Sequence, residues 1–408
     1  MIEVVRLRHV ADVNPPSPRF DRLSSDAELT FLPMEAVWPG EHMDRGRVRV
    51  KSSVETGFTR FQDGDVLVPK ITPTFEASRS VLVNGLINGA GAGTTELHVL
   101  RPRSECDGRY LTYVTHSHPF LKLGESQMYG VAGQQRVPDD FVRDYPLRLP
   151  PLEEQRRIAD FLNAQSRRID LLIRLRIKQN ALLDSEQVAC IDTELLTPGS
   201  SRARVKYLTS RITSGPRGWG ELIAESGTPF VRITNIARNG IKLLLRDLLR
   251  VQAPSGAERK RTRTKIGDVL VSITADIGSV GVVDADTADG NVSQHVALLR
   301  PDPRACLPVW LAYAMHSSPV RDSLRTSSYG GTKVGLSLSD VSNMRIPVPT
   351  LRDQESAVAR LDKALSDIEN LRSGLEEQVR LLFERRQALI TAAVTGQIDV
   401  TTTRGADM

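Results

Sequence analysis

The chain is 408 residues long, is 40% hydrophobic, and carries 54 Lys and Arg against 49 Asp and Glu, a formal net charge of +5. That length suggests two to three domains, each large enough to bury a core. No run approaches the roughly 18–20 apolar residues of a membrane span, the N-terminus reads as no signal peptide, and Cys106, Cys190 and Cys306 lack CxxC spacing. A cytoplasmic protein without a structural zinc site, a disulfide framework or a membrane partner is expected.

Residues 1–149 read as a β-rich unit: short β-branched runs at 47–50, 65–69 and 96–100 are divided by Gly, Pro and Asn. Arg45, Arg47, Arg49 and Lys51 alternate, so on a strand they share one face, as a polyanion-binding stripe or as a charged, solvated edge. Residues 110–123 read as helix, interrupted at Pro119.

Residues 150–197 predict one long helix, with Pro151 able to open it and Glu153 and Glu154 in its first turn. Its apolar positions include Leu162, Ile169, Leu172 and Leu183. Residues 197–201 form the clearest linker. Residues 198–348 repeat the β-rich plan, and residues 349–400 hold a second long helix. There Leu361, Ile368, Leu375, Leu382 and Leu389 recur every seventh position, the spacing of a coiled-coil seam. Thr350 and Asp353 give it an N-cap pattern. Residues 401–408 read as a disordered tail.

The chain is therefore doubled. A shift of 199 lays Leu147, Pro150, Leu152 and Gln155 on Ile346, Pro349, Leu351 and Gln354. Gly-Asp-Val-Leu-Val at 64–68 returns at 267–271, and Arg101-Pro102 returns as Arg300-Pro301. The fold expected is α+β with a pseudo-twofold internal duplication: two β-rich domains separated by two long helices that pair as an antiparallel coiled coil.

Charge divides unevenly between the copies. Residues 1–149 carry 18 basic and 19 acidic side chains, whereas residues 198–348 carry 21 and 12. The second domain thus looks like a polyanion binder, and Arg259, Arg261 and Arg263 lie in its densest basic run, just ahead of the 267–271 strand.

Catalytic readings fail on spacing. Gly330-Gly331-Thr332-Lys333 is no phosphate cradle, Asn14-Pro15-Pro16-Ser17 lacks the aromatic residue of an adenine methyltransferase element, and Pro138-Asp139-Asp140 has no Glu-x-Lys nearby. His116 and His118 have no partner ligand at metal spacing and read as a helix end, while Cys106 and Cys306 read as small core residues.

Two variable β-rich units alternating with two similar helices resembles the specificity subunit of type I restriction-modification systems over nearly the whole chain. Leu-Pro-Pro-Leu-Glu-Glu-Gln-Arg-Arg-Ile-Ala at 149–159 is similar to that family's entry into its conserved helix, and 386–396 to the end of its distal helix. The counterpart junction at 349–354 is looser but keeps proline, leucine and glutamine.

The resemblance implies two target-recognition domains, each reading half of a split site in double-stranded DNA. The paired helices would act as a ruler and as a dock for two modification subunits, to which restriction subunits add. It also implies a non-catalytic chain without cofactors: S-adenosylmethionine, ATP and Mg would belong to the partner subunits. Base or phosphate contacts are expected in loops after the Gly-Asp-Val strands (Lys70, Thr72, Thr74; Ser272, Thr274, Asp276) and ahead of the helices (Gln134, Gln135, Arg136; Thr332, Lys333). Three other readings stay open: a coiled-coil scaffold whose globular units bind protein, a DNA-specificity module of another phage-defence system, and a chain with cryptic nuclease or methyltransferase activity.

Overall fold

Each Gly-Asp-Val run opens the interior strand of a four-stranded sheet, with Gly64 and Gly267 turning into it at φ of +91° and +84°. Val66–Pro69 lies between Leu97–Pro102 and Val81–Leu82, with Ala11–Val13 at the far edge. In the same order, Val269–Ser272 lies between Val296–Pro301 and Val280–Val282, with Thr209–Ser214 outermost. All residues of both interior strands are buried, which is why they read as unbroken apolar runs. The computed structural model describes residues 3–37, 43–131, 133–195, 201–327 and 335–400.

Register explains why two separate sequence runs repeat together. Val66 stands opposite Leu100 and Val269 opposite Leu299, which brings Asp65 to Arg101 and Asp268 to Arg300. The buried Asp65 carboxylate accepts from Arg101 Nε at 2.7 Å and Nη2 at 2.9 Å, and from the Gln62 N–H at 2.8 Å. Asp268 does the same with Arg300 at 2.7 and 2.6 Å and with the Lys265 N–H at 2.8 Å. Bidentate geometry plus a turn N–H offsets the desolvation of a buried carboxylate.

A second four-stranded sheet in each domain contains one parallel pair, Glu28–Leu32 with Ala90–Gly93 and Thr228–Val231 with Asn291–Val292. Short two-stranded ribbons close each domain just ahead of a long helix: Glu3–Arg6 pairs with Pro146–Leu149, and Arg202–Arg204 with Arg345–Pro347. The helical segment after each central sheet breaks at Ser117 and Ser317, giving Gly108–His116 then His118–Ser126, and Pro308–His316 then Ser318–Ser327. The break thus falls two residues before the expected Pro119. That proline instead starts the next helix, where its missing N–H leaves no bond unmade.

The long helices run Leu152–Leu195 and Leu351–Thr395. Contacts divide the chain into two compact units, 1–176 with 377–408 and 177–376. In the first unit, Ile158 and Leu162 share a buried cluster with Ile390, Ala393 and Val394, and farther along Asp170 Oδ1 meets Arg386 Nη1 at 2.8 Å. In the second, Asp184 meets Arg372 and Glu194 meets Arg360, each at 2.8 Å. Rising numbers on one helix meet falling numbers on the other in both units, so the halves present in each pair antiparallel.

The seam is mixed rather than purely apolar. Leu162, Ile169, Leu361 and Ile368 are buried, whereas Leu172, Leu183, Leu375, Leu382 and Leu389 are half-buried, because a two-helix seam covers its residues from one side only. A second seven-residue stripe runs Val358, Leu365, Arg372, Val379, Arg386, Ala393. Its two arginines make the ion pairs just described, and charged seam positions fix register at a cost in stability. Thr350 caps the second helix as its pattern predicts, accepting the Asp353 N–H at 3.3 Å.

The start of each helix is fastened by one buried glutamine. Gln155 Oε1 accepts the Asp107 N–H at 2.8 Å while its Nε2 donates to the carbonyls of Glu105 (2.9 Å) and Pro150 (2.8 Å). Gln354 repeats this with the Leu307 N–H (2.9 Å) and the carbonyls of Ala305 (3.3 Å) and Pro349 (3.0 Å).

Candidate nucleic-acid interface

In the first domain, two candidate loops far apart in sequence meet. Thr72 donates its N–H to the Gln135 carbonyl at 3.0 Å, Gln135 donates to Thr72 Oγ1 at 3.2 Å, and Val137 donates to the Lys70 carbonyl at 2.9 Å. Gln134 is exposed, and Gln135 and Thr72 are half-buried. Thr74 is only 8% exposed and stands beneath this surface rather than on it. Arg136 is held by Glu96 through two bonds of 2.8 Å. Lys70 Nζ lies 3.9 Å from Asp139, which also contacts His98 Nδ1 at 3.1 Å and accepts from Asn14 Nδ2 at 2.8 Å. The His98 contact holds the Asp139 carboxyl well below the usual range, and burial pushes His98 down.

The basic stripe is largely engaged within the domain. Arg47 pairs with Glu35 and Asp44, Arg45 donates to the Asn84 carbonyl, Arg49 stacks over Phe31, and Lys51 donates to the Leu23 carbonyl. Only Val48–Val50 is strand, and Val48 and Val50 are each 41% exposed, so this is a solvated edge whose arginines point outward partly neutralised.

The second domain brings together the matching loops. Leu336 donates to the Ile273 carbonyl at 2.8 Å and Thr274 bridges Gly335, so the chain after Val269–Ser272 meets the chain leading to the second long helix. Thr332 and Lys333 lie outside the described residues. Ser272 is fully buried and donates to the Thr274 carbonyl at 2.8 Å, shaping the loop from beneath, and Asp276 is paired with Arg238 at 2.9 Å.

The basic run does not feed straight into its strand. It forms a short helix, Ala257–Thr262, because the buried Thr262 is anchored by Asn291 Nδ2 at 2.8 Å. Arg261 donates to Thr213 Oγ1 and the Ser214 carbonyl, and Arg263 pairs with Asp289. Arg259 and the exposed Lys260 carry the rest of this patch.

Sequence reasoning missed the turn at 293–295. The His295 carbonyl accepts the Ile273 N–H at 3.1 Å, so the turn adjoins the Ile273–Thr274 loop. The signal was present: a shift of 199 lays Glu96, whose carbonyl accepts the Lys70 N–H at 2.8 Å, on His295. One frame position thus carries different polar side chains in the two domains.

Nothing among the described residues groups His, Cys, Asp or Glu for a metal, and no described helix is long and apolar enough to cross a membrane. Cys106 and Cys306 are buried, which pushes both thiols up to about 12, where they are protonated and inert as nucleophiles.

Known proteins share this frame. The model of the type I restriction modification DNA specificity domain matches residues 61–179 and 220–380. The specificity subunit of the type I restriction enzyme EcoAI of Escherichia coli is 42% identical over 160 residues, 38% of this chain and 26% of that protein. The EcoBI specificity subunit of the same organism is 21% identical over 284 residues, 63% of this chain and 59% of that protein. The alignment with EcoAI thus spans about a quarter of that relative's length.

Among solved structures, one from work on assembly and conformational transition of the type I R-M system aligns with 97% of this chain and 98% of its own at a TM-score of 0.77 and 21% identity. The HsdS subunit from Thermoanaerobacter tengcongensis aligns over 97% of both chains at a TM-score of 0.58. With more than half its length matched by the family model, the chain belongs to the type I restriction modification DNA specificity domain family.

Proposed function

We propose that this chain is the DNA-reading subunit of a type I restriction-modification complex. Each β-rich domain reads one half of a bipartite duplex site, and the paired helices set the unread spacer between the halves. The observation that carries this reading is the duplicated frame that brings the same pair of loops together in each domain, with different side chains on them.

Modification subunits dock on the helices and bring the adenine methyltransferase activity with S-adenosylmethionine; restriction subunits bring ATP, Mg, translocation and cleavage. The chain itself performs no chemistry and works in the cytoplasm. Support for docking comes from the first unit, where Leu171, Leu175, Leu381 and Phe383 of the long helices are 47–51% exposed. Exposed apolar groups on a helix, of which Leu171 and Leu175 lie one turn apart, favour a protein partner.

The test is methylation-aware sequencing of the host genome with and without the gene. A split adenine motif that vanishes on deletion supports the reading; an unchanged methylome contradicts it. A protein-binding scaffold would instead show no salt-sensitive binding to duplex DNA.

A further inference from the structure

The turn at 293–295 holds two polar side chains on a firmly fixed backbone. It joins the two sheets of the second domain, directly after Asn291–Val292 and before Val296–Pro301. Ser293 donates its N–H to the Val231 carbonyl at 2.9 Å and accepts the Val296 N–H at 3.1 Å, while Ile273 donates to His295. Gly215 closes onto the same turn: a Cβ there would collide with the Val292 carbonyl oxygen. The side chains of Gln294 and His295 therefore project from a backbone fixed on several sides, the condition for precise recognition.

Those side chains are bonded to each other. Gln294 Nε2 lies 2.9 Å from His295 Nε2, and with the imidazole nitrogen accepting, the carboxamide keeps one N–H and its carbonyl oxygen. That remaining donor and acceptor match the N6 amino group and N7 of adenine in the major groove.

Beneath them lies a cleft of about 270 Å³ lined by Pro216, Trp219, Phe230, Arg232 and Ser293. Ser293 Oγ and Arg232 Nε are buried without a hydrogen-bond partner among the described residues, an arrangement that costs free energy. The apolar part of the wall suits the thymine methyl group that accompanies adenine across the groove. The corresponding place in the first domain is committed otherwise, since Glu96 is closed by Arg136.

We propose that Gln294, oriented by His295, reads an adenine of the half-site taken by the second domain, with the Pro216–Trp219 wall against the paired thymine. This deepens the DNA-reading proposal and rests on it. The test selects random duplexes with the full-length chain and the subunits that accompany it, and compares wild type with Gln294→Ala, Gln294→Glu and His295→Ala.

Expected is loss of about tenfold in discrimination at one A·T pair of one half-site in Gln294→Ala, with the other half-site unchanged as an internal control of folding. Gln294→Glu moves the preference at that position towards cytosine, whose N4 amino group needs an acceptor. On wild-type protein, 7-deazaadenine at that position removes N7 and gives a loss that Gln294→Ala does not add to. A motif unchanged in Gln294→Ala, insensitivity to 7-deazaadenine throughout the half-site, or weakening spread evenly over all positions overturns the proposal. A wild-type chain that selects no motif at all overturns the DNA-reading function beneath it.

Discussion

The two β-rich domains share a skeleton and differ on its surface. What they share is buried and polar: Asp65–Arg101 and Asp268–Arg300, Gln155 and Gln354, and the histidines His116 and His316 that end matching helices. What differs is the rim: Glu96 closed by Arg136 in one, the Gln294 and His295 side chains bonded to each other in the other, and charges of 18 basic to 19 acidic against 21 to 12. A frame fixed by buried hydrogen bonds leaves exposed loops free to change sign and shape, because loop substitutions leave no buried group unsatisfied. Even the histidines diverge in detail. His116 Nε2 donates to the Ser80 carbonyl, whereas His316 Nε2 accepts the Gly240 N–H.

Breaking the frame should cost both domains alike. Arg101→Met and Arg300→Met each strand a buried carboxylate and should destabilise their own domain by about 4 kcal/mol in denaturant unfolding. Equal losses support a shared device, and a loss in one domain alone would break the comparison.

Acid comes next. Burial holds His116 and His316 down to about 4, so both are neutral in the fold while the unfolded chain takes up protons below about 6.5. Their stability is complete above that unfolded value and drains as pH falls towards 4, by about 3 kcal/mol each at the acid limit. Unfolding at pH 7 and pH 5 reads about 2 kcal/mol of that loss per histidine, and His116→Gln should flatten the first domain's share.

Gln155→Leu and Gln354→Leu leave one N–H and two carbonyls without their partner, a loss of about 2 kcal/mol each. At the rim, Arg259→Ala should leave stability unchanged and lower the salt dependence of DNA binding by about one logarithmic unit of slope. An equivalent effect from Arg136→Ala, already closed by Glu96, would blur the distinction between the domains.

Periodicity and repetition made the frame legible in the sequence. The seven-residue leucines, the Gly-Asp-Val runs and the shift of 199 all record contacts that occur twice, so each copy certifies the other. Partnerships between distant residues were not legible. Nothing in Arg261 or Arg47 says that Thr213 or Glu35 will absorb its donors, so basic residues looked freer than they are. Ser272 and Thr74 looked like loop residues because burial depends on what folds over them. Arg372 and Arg386 hid a second seam stripe, since charged residues break an apolar pattern even where ion pairs admit them. The Ser293–His295 turn was not legible because it carries different side chains from its counterpart around Glu96, so no repeated motif marks it.

Lengthening both long helices by one heptad, after Arg174 and after its antiparallel counterpart Leu381, probes the whole arrangement. Seven residues add about 10 Å of helix, or about three base pairs of duplex. Mapping methylated sites in cells carrying the lengthened chain should return both half-sites unaltered, with about three more base pairs between them. The original spacing kept intact, or either half-site rewritten, would contradict the proposal that the paired helices set the spacer between the half-sites.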